Sequence, residues 1–415
     1  MRPLKILNVV HRYYPSIGGS EAYAKEISER LAGDGFEVSV FTTDALDLEY
    51  FWKSGKRRVN IYKETRNGVI IERFRVIRLP LHNLTMRILC RFPFVFFKAG
   101  FSLPSPVVPG IWKRLFFNNH LSFDMVHVSA FPYNSLIYAG ILFAKRHKIP
   151  VIITPFLHLG ERRNDKVNRY YTRDFQLRLL GSCDRIIVQT PAERDYLRSA
   201  GIADEKMNII GQGVNISEVT GGDARRFREK FGIPETRIVF HIANKSYDKG
   251  TFHLIEAMKE IWKGDEDVRL VLAGASMEQF DRFFSSQDGL VRKKCLALGC
   301  ISDEDKKDLF AAGDVFALPS RTDSFGVVFL EAWANKKPVI GARAGGIPDV
   351  IEHEKDGYLV KFGDTGALSH CIKKLLYDKD LARAMGERGY AKVRDSLTWD
   401  IKYNRIKEVF VNNLS

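Results

Sequence analysis

Residues 319–351 read PSRTDSFGVVFLEAWANKKPVIGARAGGIPDVI and follow the apolar run DVFALPS that begins at Asp314. The run reads as a strand that ends in a loop carrying Arg321, Asp323 and Ser324. Gly326 then opens a helical pattern that contains Glu331, and KPVIGA from Lys337 reads as the next strand. Beyond it Ala344, Gly345 and Gly346 form a glycine-rich turn, with Pro348 near the first turn of a short helix. Strand, loop, helix and strand in this order are the unit of a parallel sheet.

The alternation extends in both directions. RIVFHIA from Arg237, VRLVLAG from Val268 and the short CLALG from Cys295 read as further strands; TFHLIEAMKEIW and SDEDKKDLFAAG read as helices between them. Nearer the N-terminus, LKILNVV, EVSVFTT, MVHVSA, PVIITPF and DRIIVQT are strand-like. Helical patterns cover Glu21 to Ala32, Ser135 to Arg146 and AERDYLRSAG. Around Gly211 the glycine-rich, polar stretch GQGVNISEVTGGDARRF reads as a linker. The expectation is two doubly wound, Rossmann-like α/β domains, 1–215 and 216–397, with ligands bound in a central cleft at the carboxyl edges of the sheets. The amphipathic segment 398–415 can pack on either domain and is assigned to the first.

A length of 415 residues with 45% hydrophobic and 27% charged side chains describes a water-soluble chain and excludes disorder, collagen and a polytopic membrane protein. The five cysteines are odd in number, widely spread and free of Cys-x-x-Cys spacing, so they suggest neither a disulfide framework nor a zinc site. The short N-terminal apolar run stops at His11 and Arg12, too early for a signal peptide, and a cytosolic start is expected.

Charge is unevenly distributed. Residues 1–210 hold 32 basic and 19 acidic side chains, residues 211–415 hold 32 and 31, and residues 51–120 alone hold 14 and 2. In that last segment arginines interleave with Phe92, Phe94, Phe96, Phe97 and Phe101. Such a pattern fits an anionic membrane surface, nucleic acid, or a solvated face beside a core helix. No nucleic-acid module accompanies it, so nucleic acid is not expected as a partner and the membrane surface is favoured. A spanning helix is not expected, because Lys98, Pro93, Pro104, Pro106 and Pro109 interrupt the most apolar stretch.

Several residues carry chemistry. Glu331 shares a helical face with Val327, Val328 and Ala334, where an unpaired carboxylate is costly; ribose hydroxyls would satisfy it, and helix-start N–H groups near Gly326 and Val327 would take a phosphate. The bland alternative is a surface glutamate. Lys245 and Lys249 lie in the loop after the strand from Arg237, at the edge where an anion is expected. Gly18 and Gly19 precede a helix and form a second candidate anion loop. His127 and Ser129 close MVHVSA, with His127 readable as a proton-transfer group or as a core residue, and His158 follows PVIITPF. The acidic triplets at 265–267 and 303–305 read as a solvated turn and a helix cap after Ser302, not as a metal motif.

Taken in order, these segments resemble the family-4 retaining glycosyltransferases of the GT-B fold. The resemblance rests on YYPSIGGSEAYAKEISERLAGDGFEVSVFTT, FDMVHVSA, VIITPFLH, IIVQTPAERDYLRSAG, IIGQGVN, the loop ending Asp248-Lys249-Gly250 and residues 319–351. It implies a nucleotide-diphosphate sugar as donor, no cofactor and no metal. The acidic pair of the family falls on Asp323 and Glu331: Glu331 would hold the ribose, while Asp323 and its loop with Arg321, Ser324 and Phe325 would face the transferred sugar. Gly345 and Gly346 would line the donor, and Lys249 would contact the diphosphate. The sequence departs from the family in three places. Asp323 is a methylene shorter than the usual glutamate, Asn244 stands where an arginine is common, with Lys245 expected to replace its charge, and Ser129 stands where many relatives have histidine. Together with the basic, phenylalanine-rich segment 51–120, the resemblance makes a glycan or lipid-linked molecule at the cytoplasmic face of a membrane the expected acceptor. A non-catalytic sugar-nucleotide or lipid-binding subunit, and a nucleotide-sugar hydrolase or epimerase, are the rival readings.

Overall fold

The computed structural model describes residues 2–92, 94–118, 121–161 and 165–414, with side chains everywhere except at 95–97. Pro93 and the side chains of Phe96 and Phe97, invoked above, lie outside the described residues. The chain forms two compact units. The first comprises residues up to Leu157, Asn168–Gly211 and Tyr403 onward. The second comprises His158–Val167 and Gln212–Lys402.

The first unit is built on β1 (Lys5–Val9), β2 (Glu37–Thr43), β3 (Lys63–Arg66), β4 (Val69–Phe74), β5 (Met125–Ser129), β6 (Val151–Thr154), β7 (Arg185–Val188) and β8 (Met207–Ile209). They lie in the order β3-β4-β2-β1-β5-β6-β7-β8, all parallel except for the β3–β4 pair. Ile6, Leu7 and Val9 on β1 are fully buried, as expected of a strand covered on both faces. The helix Gly19–Gly33 buries Tyr23, Ala24, Ile27 and Leu31, the spacing of one helical stripe. From Tyr403 on, the helix Trp399–Val411 adds Lys407, 2.9 Å from Asp34, and the buried Phe410.

Segment 51–120 folds as the β3–β4 hairpin followed by the helices His82–Leu89, Val95–Phe101 and Pro109–Phe116. Its charge is less free than the count suggests. Lys53 and Lys56 pair with Glu49, Arg57 with Asp47, Lys63 and Arg114 with Glu72, and Arg73 with Glu64. On the helix His82–Leu89, His82 and Met86 face inward, while Leu81, Leu84 and Ile88 are exposed together with Arg87 and Arg91. Phe92, Phe94 and Phe117 are exposed nearby. Among the described residues no helix is long and apolar enough to cross a membrane.

The second unit has β9 (Arg237–Ile242), β10 (Val268–Ala273), β11 (Cys295–Ala297), β12 (Val315–Leu318), β13 (Val339–Ala342) and β14 (Gly357–Val360), in the order β11-β10-β9-β12-β13-β14. All pairs are parallel. This is the doubly wound order of a dinucleotide-binding sheet, and its direction reverses between β9 and β12. The helix Thr251–Trp262 places Leu254, Ile255, Met258, Ile261 and Trp262 on one side of the sheet, against Val239, Leu270 and Leu272. On the other side Phe329 and Trp333 pack with Phe240 and Phe316. Each such side chain contributes about 1.5–3 kcal/mol by leaving water. Trp333 also donates its indole N–H to the Asp356 carbonyl at 2.9 Å, so Trp333→Ala would cost about 3–5 kcal/mol.

Candidate functional site

Two loops leave the sheet side by side at the reversal, one after β9 and one after β12, which pair through Val239↔Val315 and Phe240↔Phe316. His241 on β9 ties them from below. One ring nitrogen meets the Ala317 carbonyl at 2.9 Å and the other the Thr251 hydroxyl at 3.2 Å. Burial lowers the His241 pKa to about 4, so the ring is neutral at neutral pH. Above it, the Arg321 backbone N–H donates to the Asp248 carbonyl at 3.0 Å, and the Arg321 guanidinium holds the Asp248 carboxylate at 2.8 and 2.9 Å. The laced loops bring Lys249 and Asp323 together: the ammonium lies 2.8 Å from Asp323 Oδ1. Burial alone would raise the Asp323 carboxyl pKa. The Lys249 charge and hydrogen bond, helped by Ser320 and His158, outweigh it and hold the carboxyl below the ordinary aspartate range. Asp323 Oδ2 is buried without a hydrogen-bond partner among the described residues.

The glycine turn after β13 closes on this loop. Gly346 N–H donates to the Asp323 carbonyl at 3.0 Å, and Gly345 N–H to the Gly160 carbonyl at 2.7 Å. Gly345 has φ of 58°, and a Cβ there would stand 2.3 Å from the Asp323 carbonyl oxygen, so only glycine fits without displacement. The segment His158–Val167 thereby adds to the site. Glu161 lies 3.5 Å from Arg321, and the half-buried His158 is within electrostatic reach of Lys249 and Asp323. Burial and then Lys249 lower its pKa to about 4, so it too is neutral at neutral pH.

Gly326 takes the left-handed conformation at the start of the helix Val327–Ala334, whose first N–H groups lack intrahelical partners. Phe325 and Phe329 anchor that start in the core. Further along, Glu331 is 9% exposed. One carboxylate oxygen accepts from Lys306 at 2.6 Å, and the other is buried without a partner among the described residues. Lys306, Glu161 and Gly160 were not singled out in the sequence. Lysines beside acids read as solvated, and the 158–161 segment is joined to this site only by folding.

The structure places several of the expected site residues elsewhere. Lys245 does not offer its charge to the loop: it is fully buried and donates to the Gly274 and Leu298 carbonyls, away toward the ends of β10 and β11. The exposed Asn244 beside it carries no charge, so Arg321 is the second cation of the site. His127 is a core residue. It points into the first unit, 2.9 Å from the Thr154 hydroxyl and edge-on to Phe410, with a pKa lowered by burial to about 3. Ser129 on the same strand is 2% exposed, with its hydroxyl buried and without a partner among the described residues. The Gly18–Gly19 loop already holds an anion of its own. The space beside Gly18, where a side chain would stand, is filled by the Glu21 carboxylate, which Arg12 grips, His11 meets at 3.2 Å and Ser20 at 2.9 Å. Among the described residues no cluster of three or more His, Cys, Asp or Glu is placed to hold a metal ion.

Comparison with known proteins places the chain in a family. The family described as Glycosyltransferase Family 4 matches residues 17–218, and that described as Glycosyl transferases group 1 matches residues 223–392. The N-acetyl-alpha-D-glucosaminyl L-malate synthase of Bacillus anthracis is 34% identical over 92% of this chain and 90% of its own. The chain belongs to glycosyltransferase family 4. An uncharacterised glycosyltransferase of Methanocaldococcus jannaschii is 25% identical over 96% of this chain and 95% of its own. Among solved structures, Anabaena HepE in complex with UDP superposes with a TM-score of 0.73 at 19% identity, covering 99% of this glycosyltransferase and all of that chain. The two parallel α/β units are thus those of the GT-B fold.

Proposed function

We propose that this glycosyltransferase moves a sugar, with retention at the anomeric carbon, from a nucleotide diphosphate to a lipid-linked or glycan acceptor at the cytoplasmic face of a membrane. The observation that carries the reading is the Lys249–Asp323 pair at the reversal of the second sheet, on the loop whose helix presents Glu331. Lys249, Arg321 and the first N–H groups of the helix Val327–Ala334 supply positive potential for the departing diphosphate, and no metal or cofactor is invoked. Asp323 Oδ2 is free to accept from a sugar hydroxyl, and Glu331 from the ribose. With no carboxylate assigned as nucleophile, the substitution runs on one face. The C1–O bond to the diphosphate breaks, the acceptor oxygen bonds to C1, and its proton passes to the departing phosphate oxygen.

Family membership and the UDP bound to the HepE neighbour make uridine-linked sugars the first donors to try. The relative named for L-malate supplies the competing acceptor class, a small soluble hydroxy acid. The exposed Leu81, Leu84 and Ile88 beside Arg87 and Arg91 favour the membrane-proximal one. The test incubates the protein with UDP-sugars, with and without membrane extract or L-malate. It measures nucleoside diphosphate release and the anomeric configuration of the product by NMR. Release that requires membrane extract, with retention, supports the reading. Release without acceptor indicates a hydrolase, binding without turnover a non-catalytic subunit, and turnover on L-malate the soluble acceptor.

A further inference from the structure

We propose that Lys306 is a positioning residue for the donor: it holds one oxygen of Glu331 so that the other stays aimed at the ribose. The inference rests on the ribose reading of Glu331 and adds the group that makes that reading work.

A carboxylate on a buried helix face has two ways to avoid the cost of its charge. It can take up a proton, or it can find a cation. Glu331 has found one, 2.6 Å away on the helix Asp303–Ala312. That helix starts at Ser302, whose hydroxyl accepts from Asp305 N–H at 3.0 Å. Its acids would compete for Lys306, but the helix Ala224–Phe231 engages them: Arg226 meets Glu304 at 3.0 Å and Asp308 at 2.6 Å, and Lys230 meets Asp305 at 2.6 Å. The Lys306 ammonium is left to reach across to Glu331. The backbone of Glu331 is fixed as well, because Asn335 donates through its side-chain amide to the Glu331 and Val219 carbonyls, both at 2.9 Å. The result is a carboxylate with one oxygen committed and one buried oxygen open. An ionised acceptor forms hydroxyl hydrogen bonds roughly twice as strong as a neutral one. Without Lys306 the carboxylate would lose its anchor and swing, and that change removes the acceptor.

The experiment is calorimetry with UDP and 2′,3′-dideoxy-UDP, and with the guanosine pair as a second base, on the full chain and on Lys306→Met and Glu331→Gln. Methionine keeps most of the lysine stem and its packing; Lys306→Gln replaces it if that variant does not fold. The parent should bind the ribose form at least about tenfold more tightly, from the about 1.5–3 kcal/mol of hydrogen bonds to a charged group. Lys306→Met should shrink that preference to about threefold or less by weakening the ribose form alone. A purely structural lysine would weaken both forms equally, and that result, or an unchanged preference, overturns the proposal. If Glu331→Gln loses the preference while Lys306→Met keeps it, Lys306 alone is wrong. If Glu331→Gln keeps the preference, or the parent shows none, the ribose reading itself falls.

Discussion

Lys249 and Asp323 neutralise one another across two loops, 2.8 Å apart, with each side chain about one-fifth exposed. A donor diphosphate must therefore share Lys249 with Asp323, and its charge acts most strongly when the leaving group gains its own. Lys249→Ala should depress turnover more than donor affinity, because only stabilisation specific to the transition state raises the rate. An effect confined to the Michaelis constant would show uniform binding instead.

The same pair has a structural consequence. Removing one partner leaves a mostly buried charge uncompensated, which costs up to about 3–5 kcal/mol when burial is complete. With this partial exposure, about 1–2 kcal/mol is expected from Lys249→Ala. Adding Asp323→Asn should recover part of it, as urea unfolding of the two variants would measure. A double variant less stable than Lys249→Ala would show that the lysine contributes through packing and not through its partner.

How far the sequence disclosed all this depends on the element. Strands rich in apolar and β-branched residues, such as VRLVLA at 268–273 and EVSVFTT at 37–43, are legible from that composition, and their bounds fall within a residue or so of the observed ones. Four strands were not read: KETR at 63–66, VIIERF at 69–74, MNI at 207–209 and GYLV at 357–360; three of them have three or four residues, and VIIERF carries Glu72 and Arg73 within it. Asp323 and Glu331 could be named because loop, helix start and glycine turn surround them in one local pattern, and Lys249 because it follows the strand from Arg237 at the sheet edge. Lys245 misled because a lysine in a loop reads as solvated, whereas its four-carbon stem reaches two carbonyls at the ends of neighbouring strands. Lys306 and Gly160 are remote in sequence from the residues they serve, and no periodicity links them.

Acid should weaken the second unit. His158 and His241 have folded pKa values near 4, whereas an unfolded histidine titrates near 6.5. Between those values the unfolded chain binds protons that the folded one refuses, so stability is full above about pH 6.5 and falls as pH drops toward 4. At pH 5 each costs about 2 kcal/mol, from 1.36 kcal/mol per pH unit. In the first unit His127 acts the same way. There it is opposed by Glu193, whose pKa burial raises to about 7 despite backbone donors at Leu157 and Gln189; that carboxyl gains stability as pH falls. Calorimetric melting between pH 7 and 5 should show a falling Tm, with a shallower fall in His241→Gln. A level or rising Tm, or equal slopes, would contradict this.

The membrane reading makes a demand that charge counting does not. About half of the basic side chains of segment 51–120 are already paired with Glu49, Asp47, Glu72 or Glu64, so Arg57→Gln should leave vesicle binding unchanged. The contact is expected at the helix His82–Leu89, where Leu84 and Ile88 lie four residues apart on the outer face, 54% and 52% exposed, and Leu81 immediately before the helix is 78% exposed. Inserting them contributes roughly 1 kcal/mol each, since they are only partly exposed to begin with, and Arg87 and Arg91 add about 1 kcal/mol apiece near an anionic leaflet. A total of about 5 kcal/mol corresponds to half-binding at sub-millimolar lipid, reversible and measurable. Co-sedimentation with vesicles of mixed anionic and neutral lipid should therefore be lost in Leu84→Ser/Ile88→Ser at any salt. In Arg87→Gln/Arg91→Gln it should fall to the level the parent shows in 1 M salt, where charges act over only about 3 Å. If the parent does not sediment with anionic vesicles, or if the apolar double variant sediments as well as the parent, this helix is not a membrane contact, and a soluble acceptor becomes the better reading.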